Sequence, residues 1–209
     1  MTIFCPSKQV TKTIPVGKTP GGPAVNEKTN MAIVINEEAH TVTLVDLTTG
    51  SVTATIPVGQ LPQCAGVDPE HNIAAVGNLG SGTVSVIDLA AAKVIQTISV
   101  GNGPFCMHGS LNPNNSTAVV ATSGDNNLIV LDLKSGSVLK KVPVGAFPIG
   151  PSLNPLTNMA IVPNSSDNTA SVVDLNAGVV VNTISVGAMA RVQRNPSRDE
   201  HRAGEQHGR

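Results

Sequence analysis

Short runs of apolar and β-branched residues, separated by turn residues, fill most of the chain. Runs such as 31–35, 42–46 and 52–58 are rich in Val, Ile and Thr, a composition typical of β-strands that pack at least one face into a core. Gly, Asn, Asp and Pro separate the runs, with 20 Gly and 15 Pro in 209 residues, and these residue types favour turns. Apolar positions do not follow the 3.6-residue spacing of a helix. The pattern therefore predicts an all-β protein.

The strand pattern repeats along the chain with a period of 42 to 44 residues. A Thr-Ile-Pro-Val-Gly motif or a close variant stands at 13–17, 55–59, 97–101, 141–145 and 183–187. An aspartate follows an apolar run at Asp46, Asp88, Asp132 and Asp174. An Asp-Pro or Asn-Pro pair stands at 68–69, 112–113, 154–155 and 195–196. Because the three columns share one period, the chain is built from an internal repeat.

Each period contains four short strand-like runs, and four strands in about 42 residues is typical of a β-propeller blade. The fourth run carries Pro15, Pro57 and Pro143 in three of its copies. Proline cannot donate a hydrogen bond to a β-ladder, so it is confined to edge strands. We therefore expect the fourth strand at the outer edge of each blade. The run after each Val-Gly pair is then the innermost strand, beside the propeller axis.

Counting repeats predicts one β-propeller domain over residues 1–199, with five four-stranded blades and a polar tail at 200–209. Four blades are complete, near 22–58, 64–100, 106–144 and 148–186. The closing blade is stitched from both termini, with residues 1–17 supplying the end of its third strand and its outer, fourth strand, and 188–199 its first strand. An alternative is that the chain is a fragment of a longer propeller that closes by dimerising.

The motifs also resemble those of a known family. The order Val-x-Val-Ile-Asp, Thr-Ile-Pro-Val-Gly and then a nearby proline is similar to the YVTN-type β-propeller repeat, which surface-layer-like proteins share with relatives of the cytochrome d1 propeller. The resemblance covers about residues 2–196. It implies a propeller with a binding or surface role outside the cytoplasm, although residues 1–10 show no signal-peptide pattern. The tyrosine of the family motif is absent, since residues 33–36 read Ile-Val-Ile-Asn.

Charge and aromatic content narrow the classes of partner. The net charge is -1, all five Arg lie at or beyond Arg191, and Trp and Tyr are absent. Without a basic patch or stacking side chains on the body of the repeat, nucleic acid is not expected as a partner. Membrane insertion is not expected either, because no apolar stretch reaches spanning length. The sequence favours a small-molecule ligand or a protein partner, allows a homo-oligomer, and indicates no cofactor.

The regular polar positions are interpreted as structural. The four aspartates of the repeat each precede a turn, where a carboxylate accepts backbone N–H bonds. Because the same aspartate recurs in four repeats, a structural role is expected for it and a single active site is not. His40 and His71 fall in turns and are expected to be solvent-facing residues.

Departure from the repeat marks the candidate site. The third inner stretch is two residues longer than the others and contains Cys106, His108 and Ser110, which share one face of an extended strand. Cys64 aligns with His108 on the neighbouring blade. These four residues are the predicted ligand-binding cluster at the axis. His108 as a base with Ser110 or Cys106 as a nucleophile would give an ester-type hydrolase, and Cys64, Cys106 and His108 could hold a soft metal ion.

Two functions follow from these observations. The first is a non-catalytic propeller that presents an axial mouth and loops to a ligand or partner. The second is a hydrolase, or a metal-using enzyme, acting at the Cys64, Cys106, His108 and Ser110 cluster. Buried cysteines are common as small hydrophobic residues, so the sequence favours the first function and commits to no metal.

Overall fold

All regular structure in the described part of the chain is β-structure, which confirms the predicted class. The computed structural model describes residues 10, 12–105 and 110–187, with Cys64 and Phe105 described by their backbone only. The strands form four antiparallel sheets, each built around four strands that pair in chain order. This arrangement fits a propeller-like fold. In the same residues, no helix has the length and apolar character needed to cross a membrane.

The strands of the first two sheets follow one another without a crossover. The first sheet contains β1 (Pro20–Asn26), β2 (Met31–Asn36), β3 (Thr41–Asp46) and β4 (Ser51–Pro57). The second sheet contains β5 (Pro62–Asp68), β6 (Ile73–Asn78), β7 (Thr83–Asp88) and β8 (Lys93–Ser99).

The third and fourth sheets repeat this order, with one addition. The third sheet contains β9 (Pro104–Phe105), β10 (Leu111–Asn112), β11 (Thr117–Thr122), β12 (Asn127–Asp132) and β13 (Ser137–Pro143). The fourth sheet contains β14 (Ser152–Asn154), β15 (Met159–Asn164), β16 (Thr169–Asp174) and β17 (Val179–Ser185). Both β9 and β10 pair with β11, and residues 106–109, which are not described, lie between them in the sequence.

The sheets pack face to face in sequence, with their first strands innermost. Strand β1 contacts β5, β5 contacts β10, and β10 contacts β14, while the outer strands β4 and β8 also contact each other. Pro57 and Pro143 end the outer strands β4 and β13, as the edge-strand argument predicts. The middle strands form the core, where Ile33, Val76, Val120 and Leu131 are fully buried.

Burial changes at the two ends of this row of sheets. Equivalent side chains on the second strands are 0% exposed at Ile33, Ala75 and Val119, but Ile161 in the fourth sheet is 46% exposed. On the opposite face, Val34 of the first sheet is half-buried, whereas Val76 and Val162 are fully buried. Among the described residues, a neighbouring sheet therefore covers every sheet face except the two terminal ones.

The predicted fifth blade falls mostly outside the described residues. Residues 1–9, 11 and 188–199 are not described, and residues 12–17 belong to no strand. The structure thus describes four sheets, and the stitched closure remains a prediction.

Candidate functional site

The predicted cluster lies at the inner strands, and most of it falls outside the described residues. Cys106 and His108 belong to 106–109, which are not described, and the side chain of Cys64 is likewise not described. The backbone of Cys64 lies in β5, opposite Gly77 and next to a register shift in the β5–β6 ladder. The joint cluster therefore remains a prediction.

Ser110 is the one member of the cluster whose side chain is described. It is fully buried, immediately before β10. Its carbonyl oxygen accepts a hydrogen bond from the Val119 N–H at 2.8 Å. This bond fixes the inner strand against β11 at the end of the inserted stretch.

A second cluster of titratable and hydroxyl side chains lies between the second and third sheets. The Nδ1 atom of His71 is 2.8 Å from Asp68 Oδ2, and Asp68 is 1% exposed. The Oδ1 atom of Asp68 accepts the N–H groups of Glu70 at 2.9 Å and His71 at 3.2 Å. The buried carboxylate is thus fully engaged by its own turn. His71 is exposed in its turn, as the sequence analysis expects, and its ring in addition contacts a buried aspartate.

Ser116 completes this cluster without giving it the geometry of a catalytic triad. The fully buried Ser116 Oγ lies 3.5 Å from His71 Nδ1, the ring nitrogen that also faces Asp68. In a Ser-His-Asp triad the serine and the aspartate contact opposite ring nitrogens. The arrangement therefore links two sheets and does not activate a nucleophile. The Asp-x-x-His spacing at 68–71 is the sequence signal that could have predicted the pair.

His40 also joins two sheets. Its Nδ1 accepts a hydrogen bond from the Leu61 N–H at 3.2 Å, and Leu61 precedes the second sheet. The ring therefore has a structural contact, although it is exposed as the sequence analysis expects.

The aspartate column is confirmed as a set of turn caps. Asp46 Oδ1 accepts the N–H groups of Thr48 at 2.7 Å and Thr49 at 3.3 Å. Equivalent pairs of backbone bonds occur at Asp88, Asp132 and Asp174. The bond from the Thr48 N–H holds the pKa of Asp46 below its ordinary value. At Asp132 the Ser135 hydroxyl, followed by the Lys134 N–H, lowers the pKa in the same direction.

These lowered pKa values predict a loss of stability in acid. A carboxylate whose pKa is depressed by folding stabilises the protein above its unfolded pKa, and this contribution is lost as the pH falls through the folded pKa. We expect the Tm to fall between about pH 5 and pH 2. Asp132→Asn retains an acceptor for the Lys134 N–H but does not titrate, so its Tm should fall less over that range. An unchanged acid dependence of the Tm would contradict the assignment.

A second polar column was missed by sequence reasoning. Asn36, Asn78 and Asn164 end the second strands and are at most 1% exposed. In each case Nδ2 donates to two hydroxyl groups of the third strand; for Asn78 these are Thr83 at 3.0 Å and Ser85 at 2.9 Å. A glycine of the Val-Gly motif packs against each amide, so that any side chain at Gly59 would collide with Asn78. The column joins the outer end of one sheet to the middle of the next.

Two open clefts lie on the fourth sheet. One, of about 450 Å³, is formed by the end of β13 and the fourth sheet, and is lined by Gly145, Asn164, Asp167, Thr169 and Ser171. The Asp167 carboxylate there accepts the Ala146 N–H at 2.6 Å. The other, of about 310 Å³, lies beside Ile161 on the terminal face. Among the described residues, no three His, Cys, Asp or Glu side chains are grouped to hold a metal ion.

Comparison with known proteins supports the fold. No family model and no curated protein matches the chain. Among solved structures, a chain of hydrazine synthase from Kuenenia stuttgartiensis, a β-propeller-containing protein, matches with a TM-score of 0.72 and 24% identity. The match covers 85% of this chain and 53% of that chain, so this chain spans about half the length of the enzyme subunit. At this identity the likeness shows the propeller-like fold alone.

Proposed function

We propose that this protein is a non-catalytic β-propeller scaffold whose axial mouth and loops bind a ligand or partner. The observation that carries the proposal is that the polar residues recurring in each repeat make structural hydrogen bonds. Asp46 and its three equivalents cap turns. The Asn78 amide bonds the second strand of its sheet to the third, and Gly59 of the preceding repeat packs against it. The Asp68 carboxylate is engaged by its own turn and by His71. The recurring polar groups of the repeat thus hold turns and strands in place, and the variable loops on this frame act as the binding elements.

The position of the binding region follows from the packing of the first strands. Strands β1, β5, β10 and β14 contact one another in succession, and so line the inner side of the row of sheets. The loops that lead into them differ in sequence from sheet to sheet. The Lys18–Glu38 ion pair belongs to the first sheet, and Phe147, 41% exposed, precedes the fourth. We propose that these loops and the inner strands select the ligand, with Cys64, Cys106, His108 and Ser110 on the same side.

The YVTN-type repeat family remains our proposed origin of the fold. Its members' binding and surface roles support the scaffold function, and the five-bladed closure belongs to the same proposal. The similarity to a subunit of an enzyme complex is compatible with a scaffold role.

The alternative is an ester-type hydrolase or a metal-using enzyme at the same four residues. A panel of chromogenic esters and thioesters, with metal analysis of the purified full chain, separates the two functions. The scaffold function predicts no turnover above the buffer rate and no stoichiometric metal. If turnover occurs and His108→Ala lowers its rate constant about a hundredfold, as loss of a general base does, while Leu156→Ala leaves it unchanged, the protein is a hydrolase and our proposal fails.

A further inference from the structure

One connection between successive sheets is held differently from its equivalents. It leads from β8 to β9 and lies against the turn between β11 and β12. The Asn102 N–H donates to Asp125 Oδ2 at 2.7 Å, and the Asn102 side-chain amide donates to Asp125 Oδ1 at 3.0 Å. The Asn102 carbonyl oxygen accepts the Gly124 N–H at 3.1 Å, and the Gly103 carbonyl oxygen accepts the Ser123 N–H at 2.9 Å. We call these four hydrogen bonds the clasp, and they fasten the connection to the third sheet.

The clasp sets a neutral amide against a charged carboxylate. The Asn102 N–H, followed by the Asn102 side chain, holds the pKa of Asp125 below its ordinary value, and the Lys141 ammonium acts in the same direction. Asp125 is therefore ionised at neutral pH. At two equivalent connections the contact is made by a backbone N–H: that of Gln60 with the Ser81 hydroxyl at 3.1 Å, and that of Ala146 with the Asp167 carboxylate at 2.6 Å. Among the described residues, the additional side-chain bond is particular to Asn102.

The next backbone N–H, that of Gly103, is left without an acceptor. At two equivalent connections the following residue donates its N–H to a side chain: Leu61 to His40 Nδ1 at 3.2 Å, and Phe147 to Asn126 Oδ1 at 3.0 Å. The repeat places Gly82 at the position of these two acceptors, and glycine has no side chain to accept a bond. Within the described part of the chain, the Gly103 N–H accordingly makes no hydrogen bond.

A free N–H group directly after an exposed asparagine permits a reaction between the two residues. Asn102 is exposed, and Asn102-Gly103 is the one Asn-Gly pair in the sequence. Glycine has no Cβ atom to hinder the approach of its nitrogen to the preceding side chain. After the Gly103 nitrogen loses its proton to solvent, its electron pair attacks Asn102 Cγ; the new N–C bond forms, and the Cγ–Nδ2 bond breaks to release ammonia. Water then opens the succinimide at either carbonyl, which leaves aspartate or isoaspartate at position 102.

We propose that Asn102 is a site of spontaneous deamidation, and that its modification opens the clasp irreversibly. The closed clasp restrains the Asn102 amide, so the reaction proceeds from the locally opened state. The product has a carboxylate where the amide donated to Asp125, and a hydrogen bond is thereby replaced by repulsion between like charges. The connection continues into β9 and then into the stretch that contains Cys106 and His108. The modification therefore acts at the entrance to the predicted ligand-binding cluster.

Mass spectrometry of the aged full chain tests the reaction. The folded protein is incubated at mildly alkaline pH and cleaved after lysine, which releases the peptide 94–134 with Asn102 and five other asparagines. Over the time in which the chain unfolded in guanidinium chloride converts completely, we expect partial amide-to-acid conversion of the folded chain, at position 102 before any other position of this peptide. Asp125→Ala opens the clasp and leaves the Asn-Gly pair intact, so this variant should convert several-fold faster. No conversion at position 102, earlier conversion at another asparagine, or an unchanged rate in Asp125→Ala would overturn the proposal.

Two substitutions at position 102 separate the new charge from the lost hydrogen bond. Asn102→Ala removes the side-chain bond and adds no charge, whereas Asn102→Asp also places a carboxylate against Asp125. We expect Asn102→Asp to lower the Tm at neutral pH by about 2 °C more than Asn102→Ala does. This difference should decrease in high salt and vanish below about pH 3, where both carboxylates are protonated. Equal Tm values for the two variants at neutral pH would show that the modification does not force the clasp open.

A second substitution assigns the repulsion to Asp125. Asp125→Asn in the Asn102→Asp background should restore most of the lost Tm, because an amide at position 125 can donate to the new carboxylate. A double variant as unstable as Asn102→Asp alone would contradict the proposed repulsion. This inference does not rest on the proposed scaffold function, and turnover and metal content, which test that function, do not depend on its outcome.

Discussion

Ile33→Ala is expected to lower the free energy of unfolding by about 2 to 5 kcal/mol, and Ile161→Ala by about 1 kcal/mol. The two isoleucines occupy the same position of the repeat on β2 and β15. Ile33 is 0% exposed between the first and second sheets, so truncation leaves a cavity. Ile161 is 46% exposed, so water already contacts much of its side chain.

Urea unfolding of the full chain at neutral pH measures both changes. The pair controls for residue type, position in the strand and intrinsic β-propensity, and it contrasts a covered sheet face with an uncovered one. A loss at Ile161 as large as that at Ile33 would mean that the terminal face is covered in solution. The terminal face would then have a partner, and the Ile161→Ala loss should depend on protein concentration if that partner is a second copy.

The repeat made much of this architecture predictable from the sequence. A period of 42 to 44 residues with four runs per period defines the strand order within a sheet. The prolines at 57 and 143 mark the outer edge because they cannot donate to a ladder. The turn role of Asp46 and its equivalents was predictable, because an aspartate at the start of a turn commonly accepts hydrogen bonds from the backbone N–H groups that follow it.

Side-chain contacts between strands and between sheets could not be predicted in the same way. The bonds from Asn78 to Thr83 and Ser85 require the register of β6 on β7, and the contact of Gly59 with Asn78 requires the packing of successive sheets. Neither contact can be predicted from the spacing of residues along one strand. The Asp68–His71 pair is local, but the contact of His71 with Ser116 depends on how the third sheet packs.

The candidate cluster lies where the repeat carries the least information about structure. The repeat predicts structure where its copies agree, and the cluster was chosen because the third copy differs by two extra residues. Residues 106–109, which include Cys106 and His108, fall outside the described residues between β9 and β10. No equivalent in another sheet defines where Cys106 and His108 point.

The Val-Gly motif gives a second contrast between equivalent positions. Gly59→Ala is expected to destabilise the protein by about 1 to 3 kcal/mol, the usual cost of overpacking a filled site. A Cβ atom on Gly59 would lie 2.6 Å from Asn78 Cγ and would also collide with the Ser81 hydroxyl. Asn78 cannot move away cheaply, because it is fully buried and bonded to Thr83 and Ser85.

Gly187→Ala is the matched control, because the same motif ends β17 where no described atom would contact the new Cβ within 4 Å. Removing a glycine from the unfolded ensemble is then expected to leave stability unchanged or raise it by up to about 1 kcal/mol. The cause can be isolated with a double-mutant cycle, since Gly59→Ala should cost less in an Asn78→Ala background if the collision with the amide is responsible. Equal costs in the two backgrounds would place the strain elsewhere, and the Asn78 column would then lose its role as the joint between successive sheets.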